Sequence, residues 1–409
     1  MRRSRRQNLT TLPGLVAAGR LLPVQPTTDS GYRSYSAGRL FLPAGTNLAT
    51  DPQGTAQTFW PADGTHNDLT PNQSLPVPLP DQPLITKCIK LTNDGTAESS
   101  QTANMTVSAS TSYMTTLYVY APTLGGNLVI TGETGTTSTV ATLTGANTGW
   151  VRYAAATNTG VGQTTLALKF AFAGGTASTV YVTGVCPYAG TVTMPYFDGG
   201  YPGCAWSGTA NASTSTRTAS VLQFTDPFAS NASFTVAMKY TPLFTGSIGA
   251  TAYLLRTSDA TNRYDFFTGY GSFTLRAHDA GGDTVISTAG TPSAGVAASL
   301  VARVSSTTLD VDKDGTSATQ VANARTAPAT TSTIEIGNVD GGSQGRGYYG
   351  PILISPTRIS DADVTNFQTN RASLWSDPIA LYRWLSGHGY TQSLILPLQS
   401  DSVGYLVRS

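Results

Sequence analysis

Glutamate and lysine are nearly missing from this chain. Its 409 residues include three Glu (Glu98, Glu133 and Glu335) and five Lys, and charged residues make up 11%, where about 25% is usual. These residue types build exposed helix faces, so their scarcity argues against a helical bundle, a coiled coil or a doubly wound α/β enzyme. Cysteine is scarce as well. Cys88, Cys186 and Cys204 are odd in number and lack CxxC spacing, which excludes a disulfide framework and a zinc site. Cys186 and Cys204 flank one aromatic segment and either pair or remain buried thiols. His66, His278 and His388 are scattered, with no second histidine at ligand spacing. No run approaches 18 apolar residues, so no membrane span is expected. What the chain does have is 42 Gly, 23 Pro and much Thr, Ser and Ala, with 40% hydrophobic residues. That composition fits short strands, tight turns and a sizeable core.

Charge is unevenly placed. Seven arginines against one aspartate put residues 1–40 at +6, so with +1 overall the remainder stands at −5. The MRRSRR head reads either as a solvated terminus or as a contact to an acidic partner or nucleic acid. The stretch Leu12–Leu22 is broken by Pro13, Gly14 and Arg20 and makes a poor secretion signal. Residues 1–40 are expected to form a basic extended arm. Pro71, Pro76, Pro78, Pro80 and Pro83 then mark a strap at 71–83. It favours polyproline conformation and is expected to be ordered against a partner.

Strand patterns follow. Leu117, Val119 and Ala121 alternate with Tyr118 and Tyr120. Leu166, Leu168, Phe170 and Phe172 repeat the pattern, and Val180, Val182 and Val185 continue it. Period-two alternation puts one face on a core. Glycine pairs at 125–126 and 174–175 punctuate at turn spacing, so this section predicts a two-sheet sandwich. Phe234, Val236, Met238 and Tyr240 open a second strand-rich section. Ser360 with Asp363 forms a capping box, and Asp377-Pro378 starts a further helix that Gly387 ends. The apolar stretch 392–409 is expected to be a strand added to a neighbour.

The run from TKCIKLTND (86–94) through SYMTTLYVYAP (112–122), with Gly149-Trp150-Val151-Arg152 and an opening Asn47-Leu-x-x-Asp51-Pro52, resembles carbohydrate-binding-module-type jelly rolls. The segment 193–217, with Tyr196-Phe197-Asp198-Gly199 and Trp206-Ser207-Gly208, is similar to one in minor tail proteins of phages infecting actinobacteria. There it links a jelly roll to a laminin-G/concanavalin-like sandwich. The resemblance implies an all-β chain of two antiparallel β-sandwiches. The basic arm (1–40) would be followed by a jelly roll (41–195), a laminin-G-like sandwich (196–375) and a helical and apolar tail (376–409). Tyr196, Phe197, Tyr201 and Trp206 can wedge the two sandwiches together, with Trp206 buried at or beside their interface.

Candidate chemistry is sparse. Asp310-Val-Asp312-Lys-Asp314-Gly315 opens like a calcium loop, but Val321 stands where that loop needs Glu. The same text reads as a hairpin turning at Lys-Asp-Gly. Laminin-G-like domains often hold calcium at one rim, so the resemblance implies at most a weak ion site with its ligands unplaced, and the pattern offers Asp310, Asp312 and Asp314 as weak calcium candidates; no other cofactor is expected. Gly341-Gly-Ser343-Gln-Gly345, followed by Asp361, Asp363 and His388, satisfies a nucleophile-elbow pattern without the strand–turn–helix setting it needs. Glu335 lacks the carboxylate partners of a retaining glycosidase. Sugar binding requires only ring faces and polar neighbours. Trp60, Trp150, Tyr153 and Tyr270, and the cluster Arg263-Tyr264-Asp265, are the candidates, though a lone aromatic in a sandwich is more often core than platform.

The sequence therefore points to a non-enzymatic virion structural protein located in the phage particle, as minor tail, baseplate or fibre. Its partners would be other virion proteins, copies of itself and host surface polysaccharide. A soluble glycan-binding adhesin or lectin-like module is the alternative, and a polysaccharide hydrolase a more distant one.

Overall fold

The computed structural model describes residues 21–24, 28–30, 33–35, 38–56, 58–60, 64–79, 82, 84–228, 232–259, 261–288, 290–329, 333–337, 345–396 and 404–407, with backbone alone before Leu42 and after 403. The MRRSRR head and Ser343 lie outside them. The described residues are mostly strand, in antiparallel sheets with two short helices near the C-terminus. It divides into two units, Ala44–Thr218 and a second that unites Met1–Pro43 with Ala219–Ser409.

In the unit Ala44–Thr218, the strand order of one sheet is Val151–Asn158, Ser112–Gly125, Thr176–Ala189, Lys87–Asn93 and Asn67–Ser74. A second sheet orders Thr137–Leu143, Leu128–Glu133, Thr165–Phe172 and Glu98–Gln101, with Met105–Thr106 also on Thr165–Phe172. The alternating residues meet in one core. Leu117, Val119, Val180 and Val182 from the first sheet join Leu128, Ile130, Leu166, Leu168 and Phe170 from the second. A small third sheet joins Cys204–Trp206, Ser215–Arg217 and Gly45–Asn47.

Segment 196–218 thus belongs to this unit, although the sequence placed the boundary at 195. Buried hydrogen bonds explain why. Asn47 Nδ2 donates to the carbonyls of Val185 (3.2 Å) and Phe197 (3.0 Å). The Asp198 carboxylate, 1% exposed, accepts from Gln53 Nε2 (2.9 Å), Tyr196 OH (2.6 Å) and the Gly200 amide (2.8 Å). Burial, with the Asp198 charge beside it, pushes the Tyr196 hydroxyl's ionisation well above its usual range. Tyr196, Phe197 and Tyr201 are buried, and the Tyr196 and Tyr201 rings meet edge to face at 5.5 Å. Trp206 is only half-buried. Its ring lies against Gly199 of the same unit, where a Cβ would sit 2.3 Å from the indole. Among the described residues, no disulfide joins any two of Cys88, Cys186 and Cys204.

The proline strap is ordered against its own unit. Leu79 and Ile85 are buried, Val77 O accepts from Trp150 Nε1 (2.8 Å), and Gln82 Oε1 accepts from Tyr201 OH (3.0 Å). Alternate strap residues turn inward, so the apolar side chains between the prolines find cover without an external partner.

The second unit is a sandwich with a helical layer outside it. One sheet runs Leu21–Val24, Gly404–Val407, Leu394–Leu396, Gly347–Ser355, Phe234–Pro242, Ala298–Val304, Thr308–Lys313 and Thr316–Ser317. Arg33–Tyr35, Gly38–Phe41 and Val321–Ala322 attach to it. The facing sheet runs Thr28–Ser30, Val221–Thr225, Thr333–Ile336, Ser247–Ser258, Arg263–Tyr270, Phe273–Asp279 and Gly282–Ser287. Val236, Met238, Tyr240, Leu300 and Ile352 meet Phe224, Tyr264, Phe266, Leu275 and Ile334 in the core. Ala237, Val301, Leu353 and Ile395 face the other way, toward helices α1 (Asp361–Ser376) and α2 (Pro378–Gly387).

Two expectations about the ends are corrected here. The strands of residues 21–41 enter this unit's sheets instead of forming a separate extended arm. The apolar tail also stays at home: Leu394–Leu396 pairs with Gly347–Ser355, and Gly404–Val407 pairs with Leu394–Leu396 and Leu21–Val24. Pairing within the unit satisfies backbone groups that an extended tail would leave to a neighbour.

The helix caps are those the sequence signals. Ser360 Oγ accepts from the Asp363 amide (3.1 Å), and the Asp377 carboxylate accepts from the Ile379 amide (2.8 Å). A hydrogen bond and the charge of Arg303 lower the Asp361 pKa. Burial opposes the Asp363 charge, but hydrogen bonds from Tyr390 and Ser360 outweigh it and lower that pKa too. Depressed carboxylates stabilise above their usual range and lose that contribution as pH falls through their folded values. Below about pH 4, the first turn of α1 is expected to loosen before the sheets, as faster hydrogen exchange over 361–367. Separately, Gly199→Ala should cost about 1–3 kcal/mol by overpacking against Trp206, measured by urea unfolding.

Candidate functional site

In the unit Ala44–Thr218, the strand Ser112–Gly125 is flanked by Val151–Asn158 and Thr176–Ala189. Register decides which side chains leave the core. Val119 pairs with Val151 and Val182, and all three lie on one pleat level. Their successors on one strand and predecessors on the other point oppositely. Tyr120 is therefore opposite Tyr181 on the outer face, and Tyr181 is opposite Lys90. The Tyr120 and Tyr181 rings stack at 5.9 Å with 18° between planes, and Trp150 lies 5.9 Å from Tyr120 at 53°. All three rings are half-buried. The strap carbonyl of Val77 fixes the Trp150 indole from one side.

This row has polar neighbours. Lys90 continues it and is followed by Thr70, while Thr179, Thr92 and Asp68 form the next outward row. Tyrosine and tryptophan faces beside an ammonium, hydroxyls and a carboxylate match what a sugar ring requires: an apolar face to stack on and partners for its hydroxyls. Of the row, Trp150 alone is a binding candidate from sequence. Tyr118 and Tyr120 are legible there as alternating with core positions, but the pairing with Tyr181 is not, although STVYVTG has the same outward tyrosine.

The other selected residues disperse. Trp60 is 3% exposed and donates from Nε1 to Asp51 O (2.9 Å), in the core rather than on a face. Tyr153 pairs with Leu117 and packs against the same core, and burial raises its pKa. Tyr264 faces the second unit's core at 2% exposure. Alternation separates it from Arg263 and Asp265, so the three do not form one polar–aromatic cluster. Tyr270 stands exposed near a hairpin turn.

Asp265 is the centre of a different structure, on the outer face of the second unit's smaller sheet. Its side chain has no solvent exposure. Arg256 Nε (2.6 Å), Arg263 Nε (3.2 Å), and Arg276 Nε (2.8 Å) and Nη2 (2.6 Å) converge on it. Arg276 also donates to Tyr253 OH (3.0 Å) and lies over the Phe267 ring. Burial works against the Arg276 charge, but Asp265 outweighs it and raises the pKa above its ordinary value. Glu335 sits in the same cross-strand row, opposite Arg256, and accepts from Gln223 Nε2 (3.2 Å). Guanidinium groups occupy Asp265, and the cluster acts as an electrostatic clasp across three strands.

The calcium candidates divide as a hairpin divides them. Asp314 and Gly315 form its two-residue turn, both with positive φ (55° and 90°), as a type I′ turn demands. Asp310 accepts from Arg358 Nη2 (2.5 Å) and Gln320 Nε2 (3.0 Å). Asp312 accepts from the Gly315 amide (3.0 Å), Ser317 Oγ (3.0 Å) and Gln368 Nε2 (2.6 Å). Among the described residues, no three His, Cys, Asp or Glu side chains are grouped to hold a metal ion. Of the elbow partners, His388 Nε2 lies 3.6 Å from Asp363 Oδ1, while Ser343 lies outside the described residues. Asp361 pairs with Arg303 (2.6 Å), while His388 stacks on Trp384 at 4.6 Å.

No protein-family model matches the chain, and no curated protein matches it in sequence. Among solved structures it is similar to a heptameric SAP-like pentraxin from Limulus polyphemus, with 14% identity and a TM-score of 0.32, over 40% of this chain and 80% of that one. It is also similar to domain 4 of AbnA, an extracellular arabinanase from Geobacillus stearothermophilus in complex with arabinotriose, with 14% identity and a TM-score of 0.31, over 44% and 88%. A third likeness is to the enzymatically active domain of tailspike protein 2 of bacteriophage CBA120, with 13% identity and a TM-score of 0.28, over 40% and 27%. Likenesses of this size assign neither family nor activity.

Removing the carboxylate from the clasp leaves three guanidinium groups facing one another. Asp265→Asn should destabilise the second unit by about 3–5 kcal/mol. Arg263→Ala should cost about 1 kcal/mol or less, since that side chain is 31% exposed. Denaturant unfolding of both variants checks the ranking.

Proposed function

We propose that the chain is a glycan-binding structural component of a phage particle: a minor tail, baseplate or fibre protein of a phage of actinobacteria that attaches to surface polysaccharide. The observation that carries the glycan part is the outward row of Trp150, Tyr120 and Tyr181, with Lys90 and threonine hydroxyls around it. Attachment needs ring faces and hydroxyl partners and no turnover, so the reading is of a non-enzymatic protein. The particle part rests on the resemblance of segment 193–217 to phage minor tail proteins.

A soluble glycan-binding module is the second reading, and one observation favours it. The strands at both ends of the described chain pair within their own unit, which weakens the argument for ends reserved for assembly partners.

Binding to an array of bacterial surface polysaccharides tests the glycan part. Tyr181→Ala and Trp150→Ala should each weaken the best ligand about tenfold, corresponding to about 1.4 kcal/mol. Retained affinity in both variants would refute the aromatic row as the binding face. Light scattering and antibody labelling of native phage particles separate the two readings: an oligomer found on particles supports the tail protein, and an unlabelled particle with a monomer supports the soluble module.

A further inference from the structure

The aromatic row of the unit Ala44–Thr218 ends in a charge, and that charge narrows its ligand. Lys90 stands directly opposite Tyr181, a pairing in which facing Cβ atoms are about 4.5–5.5 Å apart. It is half-buried. Arg152, two residues after Trp150 and opposite Tyr118, flanks the row from its other end. Its guanidinium lies 5.9 Å over the Tyr118 ring and donates to the Met194 carbonyl, an uncharged acceptor. Both cations thus sit on the sheet face that presents the rings.

This placement runs against the charge of the unit, which holds eight Asp and Glu against five Lys and Arg. Its described acids lie mostly elsewhere. Asp51 and Asp198 are buried. Asp94 accepts from His66, and Glu98 accepts from the amides of Thr65 and His66. Glu133 belongs to the other sheet. Asp63 and Asp81 lie outside the described residues. Asp68 is the one described acid on the ring-bearing face, on the edge strand and one row beyond Lys90, opposite Thr92. The segregation leaves the rings between two cations in a unit that is otherwise acidic.

Water serves Lys90 while the face is free. A ligand laid along Tyr120 and Tyr181 strips that water away, and removing water from an ammonium is costly unless an acceptor replaces it. A neutral sugar returns only hydroxyl oxygens. A carboxylate or phosphate returns a charge-assisted hydrogen bond, about twice as strong. We infer that the row takes an acidic saccharide, with the anionic group of one sugar unit on Lys90. This inference rests on the glycan reading of the same row and names the chemical class of its ligand. Lysine acts as a point charge without the planar fork of arginine, so the shared chemistry is the anion, and carboxylate and phosphate are separated by experiment.

The test is calorimetric titration of the full-length chain with two matched pairs: trigalacturonate against its methyl ester, and mannose 6-phosphate against mannose. Inorganic phosphate is the control. The acidic member of at least one pair should bind about tenfold tighter than its neutral partner at low salt, and that advantage should shrink in about 0.5 M NaCl. Lys90→Gln should bring the two members of the pair to equal affinity, whereas Tyr181→Ala should weaken both. The pair that responds identifies the anion. The inference is overturned if acidic and neutral members bind alike, if inorganic phosphate binds and no saccharide does, or if Lys90→Gln keeps the acidic preference. Equal binding within both pairs, weakened by Tyr181→Ala, removes this inference and leaves the aromatic row standing. Binding of no saccharide at all overturns the two together.

Discussion

A carboxylate withdrawn from water must be met by donors, and that constraint organises both units. In the first, Asp198 draws in Gln53, Tyr196 and Gly200, tying the early chain of that unit to its last segment. In the second, Asp265 gathers three arginines, Arg263 from its own strand and Arg256 and Arg276 from the strands on either side. Each of these two buried carboxylates is met by three side-chain or backbone partners.

Much of the fold is legible in local sequence because its rules are local. Alternation at 117–121, 166–172 and 234–240 gives the strands and their inward residues, and the side chains of Ser360 and Asp377 start the helices as caps do. Tyr264 shows the same rule applied too late: its neighbours Arg263 and Asp265 point out, so it had to point in. Register is not local. Nothing in TTLYVYAP or STVYVTG reveals that Tyr120 and Tyr181 stand opposite one another, since that depends on which strands become neighbours. The aromatic row was therefore only partly legible, through Trp150.

Segment 196–206 illustrates a second limit. Aromatics and glycines at a bend read equally well as a wedge between domains or as the closing knot of one domain. The discriminating groups are Asn47 and Gln53, far upstream, whose amides reach Phe197 and Asp198. The strap is similar. Its prolines announce an extended path, but only the Val77 carbonyl on Trp150 shows what it lies against.

The pairing of Leu21–Val24 with Gly404–Val407 sets an order of events during synthesis. The strand Leu21–Val24 leaves the ribosome long before its partner is made, whereas Ala44–Thr218 is a continuous stretch that can complete its own sheets as it emerges. At about 5–20 residues per second, the first strand waits on the order of tens of seconds for its mate. During that interval its backbone groups have no sheet to join. Such long-range closure is slow by nature, so the nascent chain passes through a stage with one finished sandwich and one open edge, the stage at which a chaperone or a second nascent copy would find it.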